Sequence, residues 1–360
     1  MRKALSIAAG SLLLALSTAC GAQALPASSQ PTSPAALGFD ISTAEVRAEV
    51  QKTRDEHFKV NTKVEWSFVP GGYTARGNYL NYAIKFRDRK YDHIRYDENG
   101  LPERIYGDAY YKTPVLIAQH GLTGHARLVT NTPAEQAQYA KTDYRDMVNS
   151  ADWLITSQNA KGCFEYHSPF RYYLSKTAYE PGWISGMAQG QGMSLLARTF
   201  DVTKDVKYIN AAKRAMDCMV LSVDQGGTRE DLGAVKPEWS NKVIFEEYLA
   251  DPPGYTLNGF MFSLLGLYDL SQVAPDAAVR NQAALWFRRG TDTLETILPL
   301  FDMDGISAYD LGYLTYDRPV PHMSASYHIV HIYLLHAMND VTNNAVLEKY
   351  ERIWREDINQ

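Results

Sequence analysis

The rhythm of apolar and polar residues changes three times along this chain. Residues 4–16 form a continuous apolar run behind Arg2 and Lys3, too short to cross a bilayer as a stable anchor. Residues 24–38, A-L-P-A-S-S-Q-P-T-S-P-A-A-L-G, bury nothing and read as a Pro/Ser-rich tether. A short helix is predicted over 42–58. From 64 to 111, V-E-W-S-F-V-P, N-Y-L-N-Y-A-I-K-F and H-I-R-Y-D-E-N-G-L-P-E-R-I-Y alternate aromatic or β-branched residues with polar ones. That period of two predicts strands, with D-E-N-G as a hairpin turn.

After Pro114 the spacing becomes helical and stays so. Thr132-Pro133-Ala134-Glu135 supplies an N-cap hydroxyl, a proline at the first helical position and a glutamate at the third, a capping box. The helix it opens should run to about Gln158, with Met147, Val148, Ala151, Leu154 and Ile155 on one face. Further helices are predicted over 183–200, 203–222, 258–273, 276–299, 327–339 and 345–357. Two of them open with a glycine beside an aromatic and repeat small residues at helical spacing (P-G-W-I-S-G-M-A-Q-G-Q-G-M and L-N-G-F-M-F-S-L-L-G-L). Glycine costs helix stability, so its repetition points to close backbone packing between neighbouring helices. Helical hairpins with such inner helices build an α/α toroid, and an ordinary helical bundle is the alternative. The expected architecture is mainly α: an incomplete α/α toroid over 113–360, preceded by a leader (1–20), a tether (21–41) and a small β-rich section (42–112).

Charge narrows the partners. The formal net charge of -5 gives no general attraction to nucleic acid, so an anionic ligand must be met by local cations. Arg87, Arg89, Lys90 and Arg95 cluster in the β-rich section, as a solvated face or as an anion-contacting patch. The leader ends in L-S-T-A-C, which resembles a bacterial lipobox with Cys20 as the lipidated residue; the rival cut follows Ala22-Gln23-Ala24. Either way export is expected, as a membrane-anchored lipoprotein or a periplasmic or extracellular protein. Cys163 and Cys218 are expected as two buried thiols rather than a bridge. No His/Cys cluster suggests a metal and no Gly-rich phosphate loop suggests a nucleotide. A structural Ca²⁺ on loop carboxylates such as Asp88 and Asp92 stays open, as does a homodimer.

The chemistry concentrates late in the chain. Residues 304–331 bring Tyr309, Asp310, Tyr313, Tyr316, Tyr327, His328 and His331 into a segment broken by Pro319 and Pro321. Phenols, imidazoles and a carboxylate around a proline-broken loop suit the wall of a polar cleft better than a core.

Five segments then carry a resemblance: E-P-G-W-I-S-G-M-A-Q-G-Q-G (180–192), F-E-E-Y (245–248), L-N-G-F-M-F-S-L-L-G-L-Y-D-L (257–270), A-Y-D-L (308–311) and Y-H-x-x-H (327–331). In order and near-spacing they resemble the D-glucuronyl C5-epimerases, as does P-V-L-I-A-Q-H-G-L-T-G-H-A-R (114–127) upstream. The resemblance implies an α/α toroid that inverts C5 of glucuronate within an acidic, heparosan-type polysaccharide. It aligns Glu247, Tyr248, Tyr309 and Tyr327 with the family's catalytic positions. The chain departs from the pattern at Gly312, where the family has Arg after Y-D-L, and at S-A-S (324–326). It also has no room for the β-sandwich of the animal enzymes.

Inverting C5 needs one group to remove a proton α to a carboxylate and another to return one on the opposite face. Glu247 and Tyr327 suit these roles, with Tyr248 and Tyr309 placing the carboxylate and supporting proton movement. His328, His331 and Asn258 are candidate substrate contacts, although Asn258 also suits a helix cap and the histidines a core. With Gly312 in place of Arg, His120, Arg171 and Arg318 are the candidate carboxylate partners. Two other readings share these residues: a uronate polysaccharide lyase and a glycan-binding lipoprotein without catalysis.

Overall fold

The structure, a computed structural model, describes residues 32–60, 68–82, 85–86, 93–130 and 132–358. The leader with Cys20, most of the tether, and Arg87, Asp88, Arg89, Lys90 and Asp92 lie outside the described residues.

Helix α1 (Ala44–Val60) precedes a three-stranded antiparallel sheet of β1 (Ile94–Tyr96), β2 (Pro102–Tyr106) and β3 (Ala109–Tyr111). The D-E-N-G turn forms as expected. Gly100 has a φ of +77° and donates its N–H to Asp97 O at 3.0 Å, joining β1 to β2. The described residues of the second alternating run, 78–82 and 85–86, do not form a strand. Instead, hydrogen bonds dock it and the residues just before it onto the helical domain. Tyr73 donates to Asp269 at 2.8 Å, Tyr79 donates to the Tyr333 carbonyl at 2.7 Å, and the Tyr82 N–H donates to Thr123 Oγ1 at 3.1 Å. Tertiary contacts outweigh strand propensity here.

The helical domain follows as α2 (Pro114–Thr130), α3 (Pro133–Thr156), the hairpin β4 (Glu165–Tyr166) with β5 (Trp183–Ile184), α4 (Gly186–Thr203) and α5 (Val206–Met219). A second hairpin, β6 (Arg229–Asp231) with β7 (Val243–Phe245), leads to α6 (Leu257–Val273) and α7 (Ala277–Phe301). A third, β8 (Asp302–Met303) with β9 (Ile306–Ser307), leads through the short α8 (Gly312–Thr315) to α9 (Ala325–Thr342) and α10 (Ala345–Ile358). Helices α2, α4, α6 and α9 pack side by side as an inner row, each backed by the helix that follows it among α3, α5, α7 and α10. This is the incomplete α/α toroid.

Local chemistry sets the boundaries. The capping box at Thr132 and Glu135 is present. Trp183 and Ile184 pair with β4, and Ser185 opens α4 by accepting the Ala188 N–H at 3.4 Å. Asp205 caps α5 and Asp276 caps α7. The glycines do what their spacing predicts between α4 and α6. A Cβ on Gly190 would lie 2.5 Å from Ser263 Cα, and one on Gly266 would lie 2.7 Å from Gly190 Cα, so larger residues would push the helices apart.

One expectation is corrected. Cys163 and Cys218 form a disulfide, with Cα atoms 5.4 Å apart, although 55 residues separate them in sequence. The turn at Gly162 lays the α3–α4 loop against α5, where a Cβ on that glycine would meet Arg214 Cβ at 2.7 Å. The bridge thereby ties the base of that loop to the outer row. Non-reducing peptide mapping should recover the Cys163 and Cys218 peptides linked. Replacing both cysteines by serine should lower stability by about 2–4 kcal/mol in denaturant titration; separate peptides and an unchanged midpoint would contradict the bridge.

Candidate active site

The first turns of all four inner helices converge on one cavity of about 390 Å³. Thr113, Val115, Leu116 and Gln119 reach it from α2, and Ser185 and Met187 from α4. Asn258 and Phe262 reach it from α6, and Tyr327 and Val330 from α9. Because the helix N-termini carry unsatisfied N–H groups and the positive end of the macrodipole, their convergence favours an anion. The sheet covers one side. In β2 the period of two puts Arg104 and Tyr106 on the cavity face and leaves Ile105 exposed. An aromatic wall forms the other side. Tyr166 stacks on Trp183 at 3.9 Å, Trp183 on Phe170 at 5.4 Å, and Phe170 on Tyr248 at 5.2 Å.

Glu247 is the buried carboxylate of this cavity, 6 % exposed. It rests on the first turn of α6, where it lies close against Gly259 and accepts from Asn258 Nδ2 at 3.2 Å. Only glycine fits at 259, because a Cβ there would lie 2.5 Å from the Glu247 Cβ and closer still to its carboxylate. Burial lifts the Glu247 pKa to about 7; hydrogen bonds from Tyr248, Asn258 and the Gly259 N–H oppose the shift, and the charge of Asp310 adds to it. Asp310 itself is buried and accepts from Tyr172 at 2.7 Å and Tyr173 at 2.6 Å.

The four residues singled out by resemblance come together. Tyr248 lines the cavity beside Glu247, and the Tyr309 ring lies 4.4 Å from the Tyr327 ring between centroids. Tyr309 is 4 % exposed and sits behind the cavity wall, whereas Tyr327 is 37 % exposed and lines it. Burial raises the pKa of all three phenols, and the negative charge of Glu247 adds to the rise. Asn258 does not cap its helix: Thr256 holds the N-cap position, and the Asn258 side chain turns into the cavity.

The other candidates lie elsewhere. His328 and His331 are fully buried and share Ser307 Oγ at 2.8 and 2.7 Å, tying α9 to β9. Burial pushes the His328 pKa down to about 3 and His331 well below its ordinary value, so both are neutral. His120 faces α3, with Nδ1 3.3 Å from Ser150 Oγ and Nε2 3.6 Å from Asp146, while its neighbour Gln119 faces the cavity. Arg171 is exposed and donates to the Ser175 carbonyl at 3.3 Å. Arg318 lies over the Tyr173 ring at 4.9 Å. Neither arginine is among the cavity residues.

Among the described residues, the cations that line the cavity are Lys85 and Arg104. Lys85 donates to Gln119 Oε1 at 2.8 Å, and burial followed by the charge of Arg104 lowers its pKa to about 8. The basic character of 85–104 and the alternation of P-E-R-I-Y were the sequence signals for them. At Gly312 a Cβ would lie 2.6 Å from Leu174 Cδ1 and 2.9 Å from Asp310 Oδ1, so a side chain there requires Leu174 and Asp310 to shift. Tyr82 Oη and Asn258 Oδ1 are buried at the cavity and lack a hydrogen-bond partner among the described residues, which suits a polar ligand. Among the described residues, no group of three or more His, Cys, Asp or Glu could hold a metal ion. No helix there is long and apolar enough to cross a membrane.

Fold and cavity thus define a helical-hairpin toroid with a desolvated carboxylate–phenol site. Residues 158–356 match the family described as D-glucuronyl C5-epimerase C-terminus, and the chain belongs to that family. The D-glucuronyl C5-epimerase of Caenorhabditis elegans is 33% identical over 213 residues, 57% of this chain and 33% of the worm protein. The chain therefore spans about a third of that relative. An uncharacterised protein of Methanocaldococcus jannaschii is 26% identical over 245 residues, 64% of this chain and 71% of its own length. A solved polysaccharide lyase superposes with a TM-score of 0.41 at 12% identity, over 78% of this chain and 69% of the lyase.

A carboxyl whose folded-state pKa is raised stabilises fully below its unfolded pKa and loses that contribution as pH rises through its folded pKa. The Glu247→Gln variant should therefore gain stability on the wild type between pH 4.5 and 7, by at most about 3 kcal/mol, and hold the gain above that. Urea midpoints across this range give the comparison. Parallel profiles would mean that Glu247 is not desolvated.

Proposed function

We propose that the protein inverts C5 of D-glucuronate residues to L-iduronate within a heparosan-like polysaccharide. The observation that carries this reading is the pairing, on one cavity, of a carboxylate poised near neutrality with an accessible phenol. The family membership points the same way.

The uronate carboxylate sits against Lys85 and Arg104, on the side where four helix N-termini converge. When the C5 proton leaves, charge moves onto that carboxylate as an enolate, and preorganised cations and N–H groups stabilise it. A base with a pKa near 7 is matched to this work at neutral pH, since about half of it is ionised there and it is still basic enough to accept the proton. Glu247 removes the C5 proton, and Tyr327 returns one on the opposite face. Tyr248 holds Glu247 in place, and Tyr309 holds Tyr248 and Tyr327. The rings of Trp183, Phe170 and Tyr166 offer apolar faces to neighbouring sugars.

Incubation with heparosan in D₂O tests this reading. Proton NMR should show loss of the C5 proton signal and growth of iduronate resonances, without the ultraviolet absorbance of a 4,5-unsaturated product. kcat/KM should rise with pH through about 7 as Glu247 ionises. Glu247→Gln should lower turnover by about 10²–10⁴-fold. Rising absorbance would make the protein a lyase, and binding without exchange would make it a glycan-binding protein.

A further inference from the structure

A polysaccharide is longer than the cavity proposed to act on it. At about 390 Å³ that cavity is near the lower end for small-ligand sites, so it takes a short stretch of chain and the rest must run out across the surface. A second hollow of about 380 Å³ adjoins it, and Trp183 lines both. Resting on the reading that the cavity takes one uronate of a polysaccharide, we infer that this second hollow is a sugar subsite, which holds a further residue of the same chain.

The hollow has the make-up of a sugar site, with apolar residues in its lining and polar donors beside them. Ile184 and Leu249 line it and pack with Cys163 and Cys218 in one cluster. Each is next in sequence to a cavity residue, Ser185 and Tyr248, so the two hollows share a wall. Lys161 is exposed and lies across Gly226: its Nζ donates to the Gln225 carbonyl at 2.6 Å, and a Cβ on Gly226 would lie 2.5 Å from that Nζ. An ammonium has three donors, so this bond fixes the group and leaves donors for the hydroxyl or carboxylate oxygens of a sugar. The turn that carries Lys161 is held firmly. Asn159 Oδ1 accepts the N–H groups of Lys161 at 2.9 Å and of Cys163 at 3.0 Å, while Asn159 Nδ2 donates to Glu165 Oε1 at 2.7 Å. The bridge to Cys218 then ties the end of the turn to α5. A site fixed before its ligand arrives loses little entropy on binding.

Binding of heparosan oligosaccharides of two lengths tests the subsite. Calorimetry would compare a tetrasaccharide with a decasaccharide, concentrations expressed per uronate, on the wild type, Lys161→Ala and Ala160→Trp. The second variant fills the hollow from an exposed residue of its lining. Proton NMR on the same samples would count iduronate. The wild type should bind the decasaccharide about tenfold more tightly than the tetrasaccharide. Both variants should lose most of that gain and bind the tetrasaccharide as the wild type does, which also shows that they are folded. If one variant fails to bind the tetrasaccharide, the other decides. A wild type that binds the two lengths equally, or a gain that survives either substitution, would overturn the subsite; iduronate formation would then leave the epimerase reading standing. A gain lost in both variants, without iduronate from the wild type, would overturn the epimerase reading and keep the subsite as part of a glycan-binding protein. A wild type that binds neither length would overturn both.

Discussion

The seating of one carboxylate on the first turn of α6 is the constraint on which the rest of the site depends. Two opposing effects act on Glu247. Burial disfavours its charge, while the Gly259 N–H, Asn258 and Tyr248 favour it. Burial wins by enough to bring the group near neutrality and not by enough to keep it protonated, which is the balance a base needs at neutral pH. The seat exists only because residue 259 has no Cβ and because α6 lies close against α4 through Gly190 and Gly266. Larger residues at those positions would change the pKa by moving a helix.

Around that seat the fold supplies positive potential that the net charge of -5 does not suggest. It has two sources. One is the arrangement of the inner row, which aims four helix N-termini at one cavity. The other is the N-terminal section, which brings Lys85 and Arg104 over it. That section is held by long-range contacts: Arg198 pairs with Asp269 in the core and donates to the Thr74 carbonyl at 3.1 Å, while Tyr79 and Tyr82 reach α9 and α2. The small section is therefore part of the site. Among the described residues, the toroid alone would present a buried carboxylate with no cation lining its cavity.

Local signals were readable from the sequence, and long-range ones were not. The capping box at Thr132 and the turn at Gly100 act over a few residues, and each formed as its chemistry requires; the glycines of α4 and α6 signalled close helix packing without naming the partner. The grouping of Glu247, Tyr248, Tyr309 and Tyr327 came from resemblance; spacing alone could not join residues 80 positions apart. His328 and His331 misled because an imidazole pair at helical spacing looks the same whether it faces a cleft or, as here, a buried serine. The Cys163–Cys218 bridge and the cavity-facing Lys85 depend on how distant segments dock, which periodicity does not encode. Arg104 was half-legible: alternation in β2 fixes its face, but not what lies opposite.

The most direct measurement is a crystal structure of the Glu247→Gln variant with a glucuronate-containing oligosaccharide bound. The account expects one uronate in the cavity with its carboxylate against Lys85 and Arg104, and C5 between residue 247 on one face and the Tyr327 hydroxyl on the other. A uronate bound with both groups on the same face of its ring, or seated away from Glu247, would contradict it.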